Sequence, residues 1–411
     1  MSKIKSVKAF EIYDSRGNPT VYAAVEDERG AKGSAAVPSG ASTGSFEAAE
    51  LRDGGERLFG RGVKKATENV NAVIAPALCG MEISDQAAID RKMCELDGTE
   101  NKSNLGANGI LAVSMAVARA AAKSEGLPLY KYLGAGREPV FPRPMMNIIN
   151  GGAHAANNID IQEFMIQPQK PQSFAESMDI CVTIYHVLKE LLKAKGLSTA
   201  VGDEGGFAPD FKDDREALEF IVKAIEKAGF GTNDVKICLD AAASEWASDS
   251  GLYKMPKRGK KLDRTEMIDM WADLAATYPI ISLEDGLGES DFEGFAELTE
   301  KLGSRLQLVG DDLFVTNEKR LLQGIEMKAA NAILIKPNQI GTVSETLSVI
   351  KTAQKNRYAA VISHRSGETE DTFISDLALA TGAGQIKTGA PCRSERLSKY
   401  NRLLLIEGGA F

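Results

Sequence analysis

A chain of 411 residues, 43% hydrophobic and 26% charged, is long enough to bury a substantial core and exceeds the size at which one core stops growing, so two domains are expected. A formal net charge of −8, with basic residues gathered into no single block, excludes nucleic acid as the main partner. Five cysteines, at 79, 94, 181, 238 and 392, form no CxxC pair and no metal-knuckle spacing, which fits a reducing compartment.

In chain order, the start "MSKIKSVKAFEIYDSRGN" has no apolar run of the signal-peptide kind. The runs "SVKAFEIYD", "TVYAAVED" and "GSAAVPSG" read as strands, each closed by turn residues. After them "AAVPSGASTGSFEAAELRD" places Ser39, Gly40, Ser42, Thr43 and Gly44 in one hydroxyl-rich loop, either a surface linker or a lid. Helical periodicity follows in "VKKATENVNAVIAPALCG", "SDQAAIDRKMCELDG" and "NGILAVSMAVARAAAKSEG", each ended by Gly. The apolar part of the last is too short for a membrane span and is interrupted by Ser114 and Arg119, so a cytoplasmic protein is expected. Strands first and helices after predict a small α+β domain over 1–134. Pro and Gly cluster in "GAGREPVFPRP", residues 134 to 144, which marks the boundary.

Over 145–411 the pattern alternates between apolar strand, polar loop and amphipathic helix. "VKICLD", "PIISLED", "RLQLVGDD", "AANAILIK", "YAAVISH" and "GQIKTG" are strand candidates, ending on Asp240, Glu284, Asp311, Lys336, His364 and Lys387. The intervals are 44, 27, 25, 28 and 23 residues, and four of the five match one strand-helix unit. A single parallel array, with all strands pointing one way, brings these ends to one face, where barrel enzymes keep their active sites. Roughly 265 residues remain after the boundary, close to the ~250 of a (β/α) barrel. The competing open sheet lacks a G-x-G-x-x-G after an early strand. The predicted fold is therefore α/β: a C-terminal TIM-like (β/α) barrel preceded by a small α+β domain.

Asp240, Glu284 and Asp311 are three carboxylates from neighbouring strands, which left alone would repel. An all-oxygen set suits a hard divalent cation, Mg²⁺ before Zn²⁺, although each acid singly is equally read as a cap on the next helix. Lys336 ends an apolar strand facing them; burial and a dication disfavour its charged form and fit it as a general base, against the plainer reading of an ion pair. Arg365 and Ser366, a planar fork and a hydroxyl, make a phosphate grip. "NGGAHAANNIDIQEFM" puts His154 in a Gly-rich loop before a strand bearing Gln162 and Glu163, and "VGDEGGFAPD" sets Glu204 among glycines. Polar residues flanked by Gly mark backbone that approaches something closely or moves. His186 sits on a plain amphipathic helix and reads as structural.

"SRGNPTV", "VPSGASTG", "MMNIINGGAHA", "IQEFMI", "GDEGGFAP", "LVGDDLFVTN", "NQIGT", "SHRSGETEDT" and "IKTGAPCRSER" resemble the enolase family, from about residue 4 to residue 407. The pairing of a Lys or His base with one or two Mg²⁺ in such sites is a known pattern. The resemblance implies two Mg²⁺ per site and reversible dehydration of 2-phosphoglycerate to phosphoenolpyruvate. It assigns Asp240, Glu284 and Asp311 to one ion and Ser39 of the lid to the second. It makes Lys336 the base at C2 and Glu204 the acid for the departing hydroxyl, assisted by Gln162 and Glu163. His154, Arg365 and Ser366 become phosphate contacts, with His364 and Lys387 lining the substrate. A homodimer or higher oligomer is implied too.

The sequence departs from the family's pattern in four places. Gly286 stands where Pro is usual after the second metal strand, predicting a looser loop. Phe46 replaces a usual His or Arg in the lid. "SEWASDSGLYKMPKRGKKLD" has its own wording. Tyr22 and Leu405 stand where a Glu and an Arg usually pair across the dimer interface. A racemase or cycloisomerase of the same superfamily would carry a Lys-x-Lys strand, and none stands at the relevant strand ends here.

Overall fold

The computed structural model describes residues 2–40, 44–248 and 251–411, so Ser42 and Thr43 of the hydroxyl-rich loop and Asp249 and Ser250 of the divergent loop lie outside the described residues. Alternating apolar and polar residues give three antiparallel strands, β1 (Ile4–Tyr13), β2 (Pro19–Asp27) and β3 (Lys32–Ala36), in the order β1-β2-β3. One face packs on the helix Ala107–Ser124, which is apolar nearly all round because its other side meets the barrel helices Pro337–Ile340 and Val343–Lys355. Gly33 is required at this contact: a Cβ there would stand 2.3 Å from the Ala116 carbonyl oxygen.

The rest of the chain builds a closed eight-stranded barrel. Its strands are β4 (Arg143–Asn150), β5 (Glu163–Pro168), β6 (Val235–Asp240), β9 (Ile280–Glu284), β10 (Gln307–Gly310), β11 (Ala332–Ile335), β12 (Ala359–Ser363) and β13 (Gln385–Lys387). A small hairpin of β7 (Tyr253–Lys254) and β8 (Lys261–Leu262) lies between β6 and β9. Around the barrel the order is β10-β11-β12-β13-β4-β5-β6-β9. Met145, Met165, Cys238, Val309, Ala332, Leu334 and Val361 fill its interior, and Gln167, Gln307 and Gln385 close one end by bonding one another's side chains.

The expectation of a single parallel array is corrected at one strand. β5 runs antiparallel to both β4 and β6, whereas the six later strands are parallel to one another and to β4. The reversal has a direct consequence. The first residue of β5, Glu163, pairs in register with the last residue of β6, Asp240, which in turn pairs with the last residue of β9, Glu284. Three acids thus form one row at the end of the barrel where the parallel strands finish. No helix among the described residues is long and apolar enough to cross a membrane.

Candidate active site

The strand ends bring together His154, Gln162, Glu163, Glu204, Asp240, Asp311, Lys336, His364, Arg365, Ser366 and Lys387 around one small polar cavity of about 30 Å³, with Gly40 from the root of the lid loop at its edge. Glu284 reaches the cluster through Lys387. The Nζ of that lysine lies 2.8 Å from Asp240, 2.8 Å from Glu284 and 3.3 Å from Glu163. Burial disfavours its charge, yet Asp240, Glu163 and Glu284 outweigh burial and hold it well above the ordinary lysine range. Glu284 is pushed well above the usual carboxyl range by burial and by Asp240, and its Oε2 is buried without a hydrogen-bond partner among the described residues. An orphaned buried oxygen in an all-carboxylate set fits a hard divalent cation.

Lys336 stands in the ion pair that its position at a strand end also allowed. Its Nζ bonds Asp311, and although burial lowers its pKa, that carboxylate wins, so the amine is raised and charged. Asp311 is correspondingly lowered: burial opposes, Lys336 prevails. Its Oδ1 also accepts from Gln339 Nε2 at 2.9 Å. Asp285, a residue the sequence pattern did not single out, has a positive φ of 43° and accepts the amides of Asp311 at 2.9 Å and Asp312 at 2.7 Å. Asp285, Asp311 and Asp312 form a compact acidic group, but both Asp285 oxygens are already committed to those amides. Strained backbone here is a device for aiming Asp311.

The opposite side of the cavity is built by Glu163, Glu204 and two histidines. His154 Nδ1 lies 3.7 Å from Glu163 and 3.6 Å from Glu204. Asn147 of β4, also unanticipated, donates to Glu204 Oε2 at 3.0 Å. Burial and the Glu204 charge raise Glu163 well above the usual range. For Glu204 burial acts in the same direction but is overcome by His364, His154 and Arg396, which hold it well below. Two facing carboxylates pushed apart in this way are the pattern of an acid-base pair.

Arg365 is held by Glu47, just beyond the hydroxyl-rich loop. Its guanidinium makes a two-point pair with Glu47, at 2.9 and 3.1 Å, buried on both partners, and donates to Asn338 at 3.2 Å. Ser366 Oγ accepts from Arg16 of the "DSRGN" turn at 3.5 Å. That turn and the "SHRSG" loop are stitched at Ser39, whose backbone exchanges two bonds with Gly367. Gly367 admits no Cβ, which would lie 2.5 Å from Arg16 and 2.8 Å from the Ser39 carbonyl. The Ser39 hydroxyl, expected to face a metal, instead donates to Glu50 at 3.0 Å and accepts from Arg52 at 3.1 Å.

Two departures are also settled by the geometry. The loop after Glu284 is not loosened by Gly286: its carbonyl accepts from Trp271 Nε1 at 2.8 Å, and a Cβ would lie 2.8 Å from Leu283. Phe46 lies under the Arg320 guanidinium, 3.9 Å from ring centroid to Cζ, while neighbouring Ser45 donates to Glu289 at 2.5 Å. His186 is exposed on the helix Phe174–Ala194, away from the cavity.

Acids, an amine and imidazoles converging at the finishing ends of a (β/α) barrel, beside a small α+β domain that contributes Gly40 to the same cavity, define the class of barrel enzymes. Family models described as "Enolase, N-terminal domain" and "Enolase, C-terminal TIM barrel domain" match residues 4–133 and 138–410. An enolase from Natranaerobius thermophilus is 58% identical over 408 residues, covering 99% of this chain and 95% of that protein. The chain belongs to the enolase family.

Proposed function

We propose that the protein is a phosphopyruvate hydratase that interconverts 2-phosphoglycerate and phosphoenolpyruvate, working in the cytoplasm as a homo-oligomer whose domains span 1–134 and 145–411. One observation carries the reading: the candidate base and acid stand across the barrel mouth from each other. Lys336 follows β11, and Glu204 is tied to β4, three strands further round the eight, with Glu163 on the strand after that. Removing the C2 proton and protonating the 3-hydroxyl on the other side of the substrate requires this separation.

Asp240, Glu284 and Asp311 would hold a Mg²⁺, which when bound supplies positive charge to the substrate carboxylate and to the enolate that develops there. Ser39 would turn from Glu50 and Arg52 to serve the second Mg²⁺ of the pair. Lys336, with Asp311 drawn away from it, accepts the C2 proton. Lys387 keeps a fixed charge beside the row of acids and adds to stabilisation of the enolate. The Glu163–Glu204 pair retains a proton between two buried carboxylates, and Glu204, beside Gln162, passes it to the leaving hydroxyl. Arg365, Ser366 and His154 take the phosphate, for which Arg365 must release the Glu47 carboxylate, itself an anion of similar geometry. His364 lines the wall beside Glu204.

Proton exchange separates the two roles. Lys336→Ala is expected to abolish exchange of the C2 proton with solvent deuterium, whereas Glu204→Gln retains exchange and loses turnover. Normal exchange in both variants overturns the assignment.

A further inference from the structure

We infer that Arg396 is a positioning residue that holds His364 as the neutral imidazole with its proton on Nε2, aimed at Glu204, and that ties the loop carrying Glu204 to the strand end carrying Arg365 and Ser366. The inference rests on the proposed role of Glu204 for its consequence in turnover, but not for the geometry. Arg396 lies in the helix Ser394–Glu407 and is wholly buried. Its Nη1 is 2.6 Å from His364 Nδ1 and donates to the Arg365 carbonyl at 2.6 Å; its Nη2 donates to the carbonyls of Asp203 at 3.0 Å and Ser366 at 2.5 Å.

The tautomer follows from donor count. A guanidinium has five N–H donors, no acceptor, and does not deprotonate in proteins. The hydrogen between Nη1 and Nδ1 therefore belongs to Arg396, and Nδ1 must offer its lone pair. A neutral imidazole then carries its proton on Nε2, and an imidazolium would set N–H against N–H beside a full positive charge. Nε2 points to Glu204 Oε2 at 3.4 Å and makes no closer hydrogen bond among the described residues. The charged groups facing the ring are Arg396 from the last helix, Glu204 from its loop and Glu368 from the turn beyond; burial first, with Arg396 outweighed in part by the two acids, places His364 at about 4. Three of the four acceptors lie on residues next to or within the acid loop and the phosphate grip, and all three are backbone carbonyls. A planar fork spans them at once; a lysine has one nitrogen to offer.

Because the chain has three histidines, of which His186 is exposed, imidazole nitrogens are readable one by one. In the full chain labelled with ¹⁵N-histidine, long-range ¹H–¹⁵N spectra from about pH 5.5 to about pH 8.5, assigned by loss of one set in His364→Gln, are expected to show His364 with Nε2 protonated, Nδ1 bare and no titration. Arg396→Met is expected to let His364 titrate and mix tautomers, and to lower kcat roughly tenfold or more with KM changed less than about threefold. Arg396→Lys, which still offers a charged donor to Nδ1, is expected to keep the tautomer and recover part of kcat. A wild-type His364 found as the Nδ1–H tautomer, or charged above pH 6, overturns the proposal whether or not the variants fold. So does a normally folded Arg396→Met with unchanged tautomer and kcat. The spectra need no substrate, so failure of the proposed reaction would show in turnover alone.

Discussion

Lys336 and Lys387 are both largely buried lysines at strand ends, yet their partners set them to different work. Lys387 is shared by three carboxylates and Lys336 bonds one, so the first is a fixed counter-charge and the second is released when Asp311 finds another cation. Lys387→Met is expected to leave the row of acids uncompensated and to lower metal-free stability by about 3 to 5 kcal/mol, part of it regained with Mg²⁺; melting in chelator and in Mg²⁺ checks both halves. His364 makes a pH prediction. Its folded pKa of about 4 lies below the ordinary 6.5. The unfolded chain binds the extra proton between these values, so the contribution is full above about pH 6.5 and is lost as pH falls toward 4, by about 3 kcal/mol in all. His364→Gln should flatten that acid limb in melting temperature against pH; an unchanged slope contradicts it. At this scale the strand-end residues were legible because a chemical residue recurred at each strand end. Asn147, Asp285 and Arg396 were not, because their work is done through one side-chain contact across the fold or through backbone amides and carbonyls, which leave no residue pattern. The choice between the two readings of Lys336 was not legible, because the charge of Asp311 offsets burial by an amount that only the distance between them reveals.

Among elements, the strand-loop-helix rhythm over residues 235 to 387 was plain in sequence, whereas the reversed β5 was not. A period-2 or continuous apolar run has no direction, and "IQEFMI" reads the same whichever way the strand lies. The reversal is what brings Gln162 and Glu163, at the start of a strand, level with Asp240 and Glu284, at the ends of theirs. The loop after β9 carries a stability prediction. Gly286→Ala adds a Cβ 2.8 Å from Leu283 and 3.2 Å from Trp271 Nε1, so overpacking should cost about 1 to 3 kcal/mol, read by denaturant midpoint. No loss would mean that the Trp271 contact is slack. The segment at Glu47 carries another. Glu47→Gln weakens the carboxylate that competes for Arg365, so inorganic phosphate should bind more tightly, several-fold by calorimetry, while Arg365→Ala should lose roughly 1.5 to 3 kcal/mol per charged hydrogen bond to phosphate. Equal phosphate affinity in wild type and both variants contradicts the grip.

At the scale of the whole molecule, the three-stranded sheet and the last helix expose apolar side chains where the proposed homo-oligomer would pack. Phe10 and Tyr22 are register partners on β1 and β2 with ring centroids 6.5 Å apart; Phe10, Tyr13 and Leu405 are half exposed. Tyr22 and Arg402 line one cleft of about 870 Å³, and Leu405 is one turn beyond Arg402. With Tyr22 and Leu405 in place of a charge pair, association should resist ionic strength, because salt screens charge and leaves apolar burial intact. Light scattering behind size exclusion is expected to show a dimer or larger at low and high sodium chloride; a monomer at micromolar concentration contradicts it. The two-part architecture itself was legible from the change of rhythm near residue 140, while the way the first domain's turn at Arg16 and loop at Ser39 reach into the barrel mouth was not, since contacts between distant segments have no local signature. The proposed metal-assisted dehydration by these residues together is read out by the ultraviolet absorbance of phosphoenolpyruvate formed from 2-phosphoglycerate. Turnover is expected to vanish on exhaustive chelation and to return with added Mg²⁺; absorbance that rises at an undiminished rate in chelator, or never rises with Mg²⁺ present, would contradict this reaction.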